Sequence, residues 1–249
     1  RLKDLVEFTN DHNALKRVVL DRDITTKLSN ESKKNNCKLN ATLNMLICFS
    51  LNKLFKEHGF KSRDENKKSN LFVYYNAIGM RQFKTNHATI KLDSIDHFTA
   101  GFYVNGIMLS KLIPDDDFGS FDPDLFWQLA REDMRELKRR VADGEIFLSN
   151  ASSNPCGANQ MESYFVLSNM GSLPSTLSSN NDSRLKITKG FSELSFKKPN
   201  LEPFLIDFVL STVDGRLNIS IFNNSHFFAN CFVDECICNF KRYIECLIK

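Results

Sequence analysis

The stretch from Asn40 to Glu57 constrains the fold more than any other part of this chain. Its apolar positions, Leu43, Leu46, Ile47, Phe49, Leu51, Leu54 and Phe55, run almost all the way round a helix, with Ser50 among them. A helix apolar on every side has no face to give to water and must lie deep inside a layered structure. Asn40 is the expected N-cap and Gly59 the expected C-cap.

Around that helix the pattern alternates. Leu15 to Asp21 reads as a strand, and Asp23 to Asn36 is polar and tolerates helix. Lys61 to Asn70 is a charged turn, and Leu71 to Met80 is strand-like. Phe98 to Leu112 is a second extended stretch, expected to break at Asn105-Gly106 in a turn or bulge. Asp122-Pro123-Asp124 opens a helix, with Asp122 as N-cap and Pro123 at the first helical position. Leu125, Phe126, Leu129, Met134 and Leu137 point inward, the charges of Arg131 to Arg140 point outward, and Asp143-Gly144 stops it. Four strands follow, at Glu162 to Asn169, Leu185 to Phe196, Pro203 to Thr212 and Arg216 to Asn223. Asp214-Gly215 joins the last two, a strong hairpin signal. From about Val233 a final helix carries one stripe of Val233, Cys236, Ile237, Phe240, Ile244, Leu247 and Ile248. The class is therefore α/β in the sense of an α+β mixed sheet flanked by helices, one domain over residues 1–249.

Composition excludes several functions. The 33 basic and 30 acidic residues leave a net charge of +3, too balanced for a protein whose main partner is nucleic acid or an anionic membrane. No run of 18 apolar residues can span a bilayer. There is no G-x-G-x-x-G after a strand, no Walker loop and no H-E-x-x-H. Asp115-Asp116-Asp117 is read as a solvated loop, so no metal is expected. The 22 Phe call for a large core or an apolar tunnel.

The seven cysteines contain no C-x-x-C pair, and Cys236-Ile237-Cys238 is too tight for a usual zinc knuckle. They read as buried free thiols, or as one or two disulfides, including a link to another chain. Six N-x-S/T acceptors occur, at Asn30, Asn40, Asn150, Asn181, Asn218 and Asn223. Asn150, Asn181 and Asn223 are the glycosylation candidates; at Asn40 an N-cap would occupy the side chain. Residue 1 is Arg and no signal-type segment follows it, so a processed product or a fragment is expected. The compartment leans to the secretory pathway, with the cytoplasm as the alternative.

Several stretches resemble the C-terminal half of the condensation-domain/acyltransferase superfamily, which includes chloramphenicol acetyltransferase-like enzymes, BAHD and alcohol acetyltransferases, wax-ester synthases and peptide-synthetase condensation domains. Cys37 to Leu46 is similar to the family's lead-in and long buried helix. Tyr75 to Arg81 is similar to its strand ending in Arg, and Gly101 to Leu109 to its "G-x-x-x-N-x-x-x-L" strand pair. Val166-Leu167-Ser168-Asn169-Met170-Gly171 is similar to its "S-N-x-G" strand end, and the final hairpin and helix agree in order. The likeness covers roughly residues 10 to 249, and it lies in the ordered set rather than in one motif.

The resemblance implies a chloramphenicol acetyltransferase-like lobe of the C-terminal type, one half of a two-lobed protein. The family's H-H-x-x-x-D-G, whose second His is the general base, is absent: His12, His58, His87, His97 and His226 are all isolated. No catalytic residue is therefore expected in this chain, and a second chain would supply the N-terminal lobe. Acyl-CoA or another acyl thioester is the implied donor, with no covalently bound cofactor. Ser168, Asn169, Phe102, Tyr103 and Asn105 are the implied ligand-contacting residues of an inter-lobe tunnel, Ser168 and Asn169 as donors to an oxyanion. The bland alternative for Ser168 and Asn169 is a polar strand end satisfying backbone groups. Arg81 reads as an ion-pair residue, and His97 beside Asp96 as a surface histidine. The alternative function is a non-catalytic, two-chain binding protein that holds a lipid or pigment in the same tunnel.

Overall fold

The structure is a computed structural model that describes residues 6–8, 15–59, 69–79, 104–114, 121–148, 163–173, 204–223 and 229–249. Its elements run β1 (Val6–Phe8), β2 (Leu15–Leu20), α1 (Arg22–Lys34), α2 (Leu39–Glu57), β3 (Ser69–Gly79), β4 (Val104–Pro114), α3 (Pro123–Ala142), α4 (Glu145–Leu148), β5 (Ser163–Leu173), β6 (Phe204–Val213), β7 (Arg216–Asn223) and α5 (Asn230–Leu247). The strands form one mixed sheet in the order β1-β2-β7-β6-β5-β3-β4. At its centre β3, β5 and β6 are parallel; every other pairing is antiparallel.

One hydrophobic cluster joins the sheet to the helices. It takes alternate residues from the strands, such as Phe72 and Tyr74 of β3, Phe165 and Leu167 of β5, and Ile206, Phe208 and Leu210 of β6. From the helices it takes Leu28 of α1, most of α2, Phe126 and Ala130 of α3, and Phe240 and Tyr243 of α5. These four helices therefore share one face of the sheet. Helix α2 lies in their midst and packs against α1, α3 and α5. Its unbroken buried run from Ala41 to Leu54 is the outcome expected of a helix apolar all round. Phenylalanines fill this layer: the Phe49 ring meets those of Phe121, Phe126 and Tyr243 at 5.4–5.8 Å.

Local chemistry sets most boundaries. Asp122 accepts from the backbone N–H of Asp124 and Leu125, and Pro123 opens α3. Asp214 and Gly215 take φ of 51° and 74°, the left-handed pair a tight two-residue hairpin needs. Gly59, at φ 70°, follows the C-cap His58 of α2.

Four expectations are corrected. Helix α2 starts at Leu39 with Lys38 in the N-cap position, so Asn40 lies inside the first turn and its side chain is used elsewhere. Asn105-Gly106 is neither turn nor bulge: β4 runs straight through, with Asn105 opposite Ile78 and Gly106 opposite Ala77. Glycine is required there by packing, because a Cβ would overlap the Tyr75 ring and the Asn76 carbonyl oxygen. The charges of α3 are not all on the outer face, since Asp133 is fully buried. Helix α5 also begins three residues earlier than read, at Asn230. The strand expected at 185–196 lies outside the described residues, as does nearly all of the charged turn.

Candidate functional site at the carboxyl end of β5

Parallel strands gather ligands at their carboxyl ends, where the backbone pairing opens. Here that end belongs to β3 and β5. The β3–β5 ladder stops at Ala77 opposite Ser168, and the β5–β6 register breaks between Asn169 and Ser172. Gly171, at φ 76°, makes this irregularity. Ser168 is thus the last residue of β5 paired on both sides, with Ala77 and Val209 as its neighbours. It is half-buried, and among the described residues its hydroxyl has no hydrogen-bond partner. It alternates with Leu167, which faces the helices, so it belongs to the opposite face of the sheet.

Asn169 turns the other way and is fully engaged in structure. Its Oδ1 accepts from the Gly171 N–H at 2.9 Å, and its Nδ2 donates to Asn40 Oδ1 at 3.2 Å. From Asn40 the bonding continues inward. Asn40 Nδ2 and Asn44 Nδ2 both donate to Asn76 Oδ1, at 3.2 and 3.1 Å. Asn44 Nδ2 also donates to Asp133 Oδ2 at 2.9 Å, and the Tyr74 hydroxyl donates to Asp133 Oδ1. One chain of six side chains, from β5, α2, β3 and α3, therefore leads from an exposed strand end to the middle of the core. Tyr74, Asn44, Asn76 and Asp133 are all buried, at 0–1% exposure.

Burial governs the electrostatics of the inner end. It pushes the Asp133 carboxyl above its ordinary range, against the donations from Asn44 and Tyr74 and the more distant charge of Lys111. Burial, and then the Asp133 charge, raises Tyr74 well above its usual value. Among the described residues two amide atoms of this network, Asn44 Oδ1 and Asn76 Nδ2, are buried with no partner. Each such orphan costs about 1–3 kcal/mol, so this arrangement is not the one that maximises stability.

The remaining expected site residues fare differently. Asn105 lies in β4 in regular register, two strands from Ser168. Phe102, Tyr103, Arg81, His97, His226 and Asp115 to Asp117 lie outside the described residues, as do Asn150 and Asn181. Asn223 ends β7, and its Nδ2, the atom a glycan would use, donates to Asn230 Oδ1 at 3.2 Å. Asn218 is buried at 1% exposure, which excludes a glycan there in the folded chain. The six cysteines among the described residues are free thiols: Cys37, Cys48 and Cys236 are buried, Cys231 and Cys238 exposed, and Cys246 lies between. Among the described residues no group of three or more His, Cys, Asp or Glu side chains is placed to hold a metal, and no helix is long and apolar enough to cross a membrane. An apolar seam between the sheet and the helices, lined by Leu43, Ile47, Phe208, Cys236 and Phe240 among others, has no polar group to orient a ligand.

No protein-family model matches the chain, and no curated protein matches it. Solved structures do. The epimerization domain from the third module of tyrocidine synthetase B superposes with a TM-score of 0.59 at 15% identity, over 98% of this chain and 50% of that one. Trichothecene 15-O-acetyltransferase from Fusarium sporotrichioides gives 0.59 at 10% identity, over 98% and 48%. The first condensation domain of the CDA synthetase gives 0.55 at 11%, over 97% and 47%. The chain has the condensation-domain fold. It spans about half the length of the condensation-domain and acetyltransferase structures it matches.

Sequence reading named both Ser168 and Asn169 at this site but missed the chain of amides behind them. The signal was present. Asn44 is a polar residue amid an all-round apolar helix, Asn76 shares the inward alternation of Phe72 and Tyr74, and Asp133 falls two turns after Phe126 on the inner stripe of α3.

Proposed function

We propose that this chain is one half of an acyltransferase-like protein, with the carboxyl end of β5 forming part of a channel in which an acyl thioester meets its acceptor. Support comes from the coverage: an acetyltransferase and a condensation domain superpose on nearly all of this chain, with about half their own length left over. The other half would bring the paired histidines that this sequence lacks, one of them to take the proton from the acceptor. As the acceptor attacks the thioester carbonyl, negative charge builds on its oxygen, and a preorganised donor lowers that barrier. Ser168 is suited to this role because its hydroxyl is uncommitted among the described residues and is held in a strand paired on both sides. Asn169 is not, because its carboxamide oxygen caps Gly171 and its amide nitrogen holds Asn40.

The test is purification of the native protein and assay with acetyl-CoA and a panel of alcohols and amines. The reading expects a second stretch bearing H-H-x-x-x-D-G in the same particle, and turnover that falls about 10²-fold in Ser168→Ala. The isolated 249-residue chain should not turn over. Acyl transfer by that chain alone, or full activity of the native Ser168→Ala protein, would overturn the proposal.

A further inference from the structure

We infer that Asn40 and Asn76 are positioning residues that fix the end of β5, and with it Ser168, through their side-chain amides; the functional sense of this rests on the reading of Ser168 given above. Beyond Ser168 strand β5 has no β3 partner, and beyond Asn169 its pairing with β6 is interrupted. Between Asn169 and Ser172, where pairing with β6 resumes, no ladder bond holds the strand on either side. In this chain the side chains take over at that point. Asn169 accepts from the Gly171 N–H within the bulge and donates to Asn40. Asn40 donates to Asn76, whose Oδ1 also accepts from Asn44. The carboxamide of Asn76 is the fixed point of this arrangement. It is 1% exposed, it projects from β3, a strand paired on both sides, and it takes two donors from successive turns of α2. The end of β5 is thereby referenced to α2, whose run from Ala41 to Leu54 is wholly buried, and to β3, and not only to its own ladder.

The arrangement retains two buried amide atoms, Asn44 Oδ1 and Asn76 Nδ2, that have no partner among the described residues. A core selected for stability alone would place apolar residues at those positions. What the amides supply is a defined direction. Each link joins a donor to an acceptor, so a rotation of Asn40 breaks two bonds at once, and Asn169 has no alternative acceptor among the described residues.

The experiment is amide hydrogen exchange by NMR on the 15N-labelled 249-residue chain, reading the Gly171 N–H against those of Leu46 and Ile47 in α2. In Asn40→Ala the Gly171 amide should exchange about five- to tenfold faster, the change expected for the loss of one net hydrogen bond, with Leu46 and Ile47 within about twofold. Asn40→Asp keeps an oxygen to accept from Asn169 but sets a second acceptor against Asn76 Oδ1 in place of the donor, so the protection should stay lost. Unchanged Gly171 exchange in Asn40→Ala overturns the inference, as does full protection in Asn40→Asp, which lacks the donor to Asn76. Should Asn40→Ala not fold, the unsubstituted chain decides. A nuclear Overhauser contact from the Asn169 amide protons to the Asn40 side chain supports the inference, and a freely averaging Asn169 amide refutes it. None of these measurements involves a ligand or turnover, so failure of the Ser168 assignment shows separately, in the acyl-transfer assay.

Discussion

Replacing Tyr74 by Phe removes one oxygen from the innermost link of the amide chain and little else. The Tyr74 ring stacks on Phe165 with centroids 4.9 Å apart and planes 2° from parallel, a contact that Phe preserves. What is lost is a donor to the buried Asp133 carboxylate. A hydrogen bond to a charged group contributes about 1.5–3 kcal/mol, and one to a neutral carboxyl about 1 kcal/mol. The effect therefore depends on pH. Burial holds the Asp133 pKa in the folded chain above its unfolded value, so the folded state keeps the proton longer. Stability from this group is highest below the unfolded pKa, about 3.9, and falls as pH rises through the folded pKa. The Tyr74 hydroxyl works against that fall by lowering the folded pKa. Without it the fall is deeper. Tyr74→Phe should then cost about 1 kcal/mol at pH 4 and about 2 kcal/mol or more at pH 8. With a urea slope of about 2.5 kcal/mol/M, the larger figure is a midpoint shift of about 0.8 M. Urea titrations of both chains at the two pH values, followed by circular dichroism, measure it. An equal cost at both pH values, or a cost below about 0.5 kcal/mol at pH 8, would refute the claim that the hydroxyl supports an ionised carboxylate.

Gly106→Ala should lower stability by about 3 kcal/mol, because its Cβ meets the Tyr75 ring and the Asn76 carbonyl within a paired strand; thermal unfolding reads the loss, and a shift within error would mean that β4 can move away. Gly215→Ala should cost about 1 kcal/mol, since the hairpin holds φ at 74° and the new Cβ would lie 3.1 Å from Arg22 Cγ; denaturant midpoints check it. Maleimide labelling followed by peptide mapping should mark Cys231 and Cys238 in the native chain and leave Cys48 and Cys236 unmarked until it unfolds. Burial pushes the Cys236 thiol up to about 12, so raising the pH to 9 should not expose it to reagent.

The elements that could be read from sequence are those whose local chemistry is decisive. Asp122-Pro123 and Asp214-Gly215 specify their own geometry, and α2 declares its burial because no face is polar. The miss at Asn105-Gly106 has the opposite origin. Asn-Gly is a turn signal in isolation, but here the glycine answers to a ring on the neighbouring strand, and only tertiary structure supplies that ring. Asn40 misled in the same way: as a cap candidate it was judged by the helix alone, whereas its partners come from β3 and β5. Asp133 was assigned to the solvated face because its neighbours are charged, although its spacing from Phe126 and Ala130 placed it on the inner stripe. Ser168 was identified through resemblance. That its hydroxyl has no partner among the described residues, while the Tyr74 hydroxyl on β3 is engaged with Asp133, is a fact of the assembled sheet.

The order of the sheet also carries a cost in time. Strand β2 and helix α1 are made early, yet β2 pairs with β7, and Thr25 of α1 accepts from the backbone N–H of Leu217, 192 residues away. At synthesis rates of about 5–20 residues per second, that interval is roughly 10–40 s. Throughout it α2, apolar on every side, is on hand without the α5 face that finally covers it. A chain arranged in this way has to be shielded while it is being made, and its yield in a cell should respond to chaperone supply more than its finished stability would suggest.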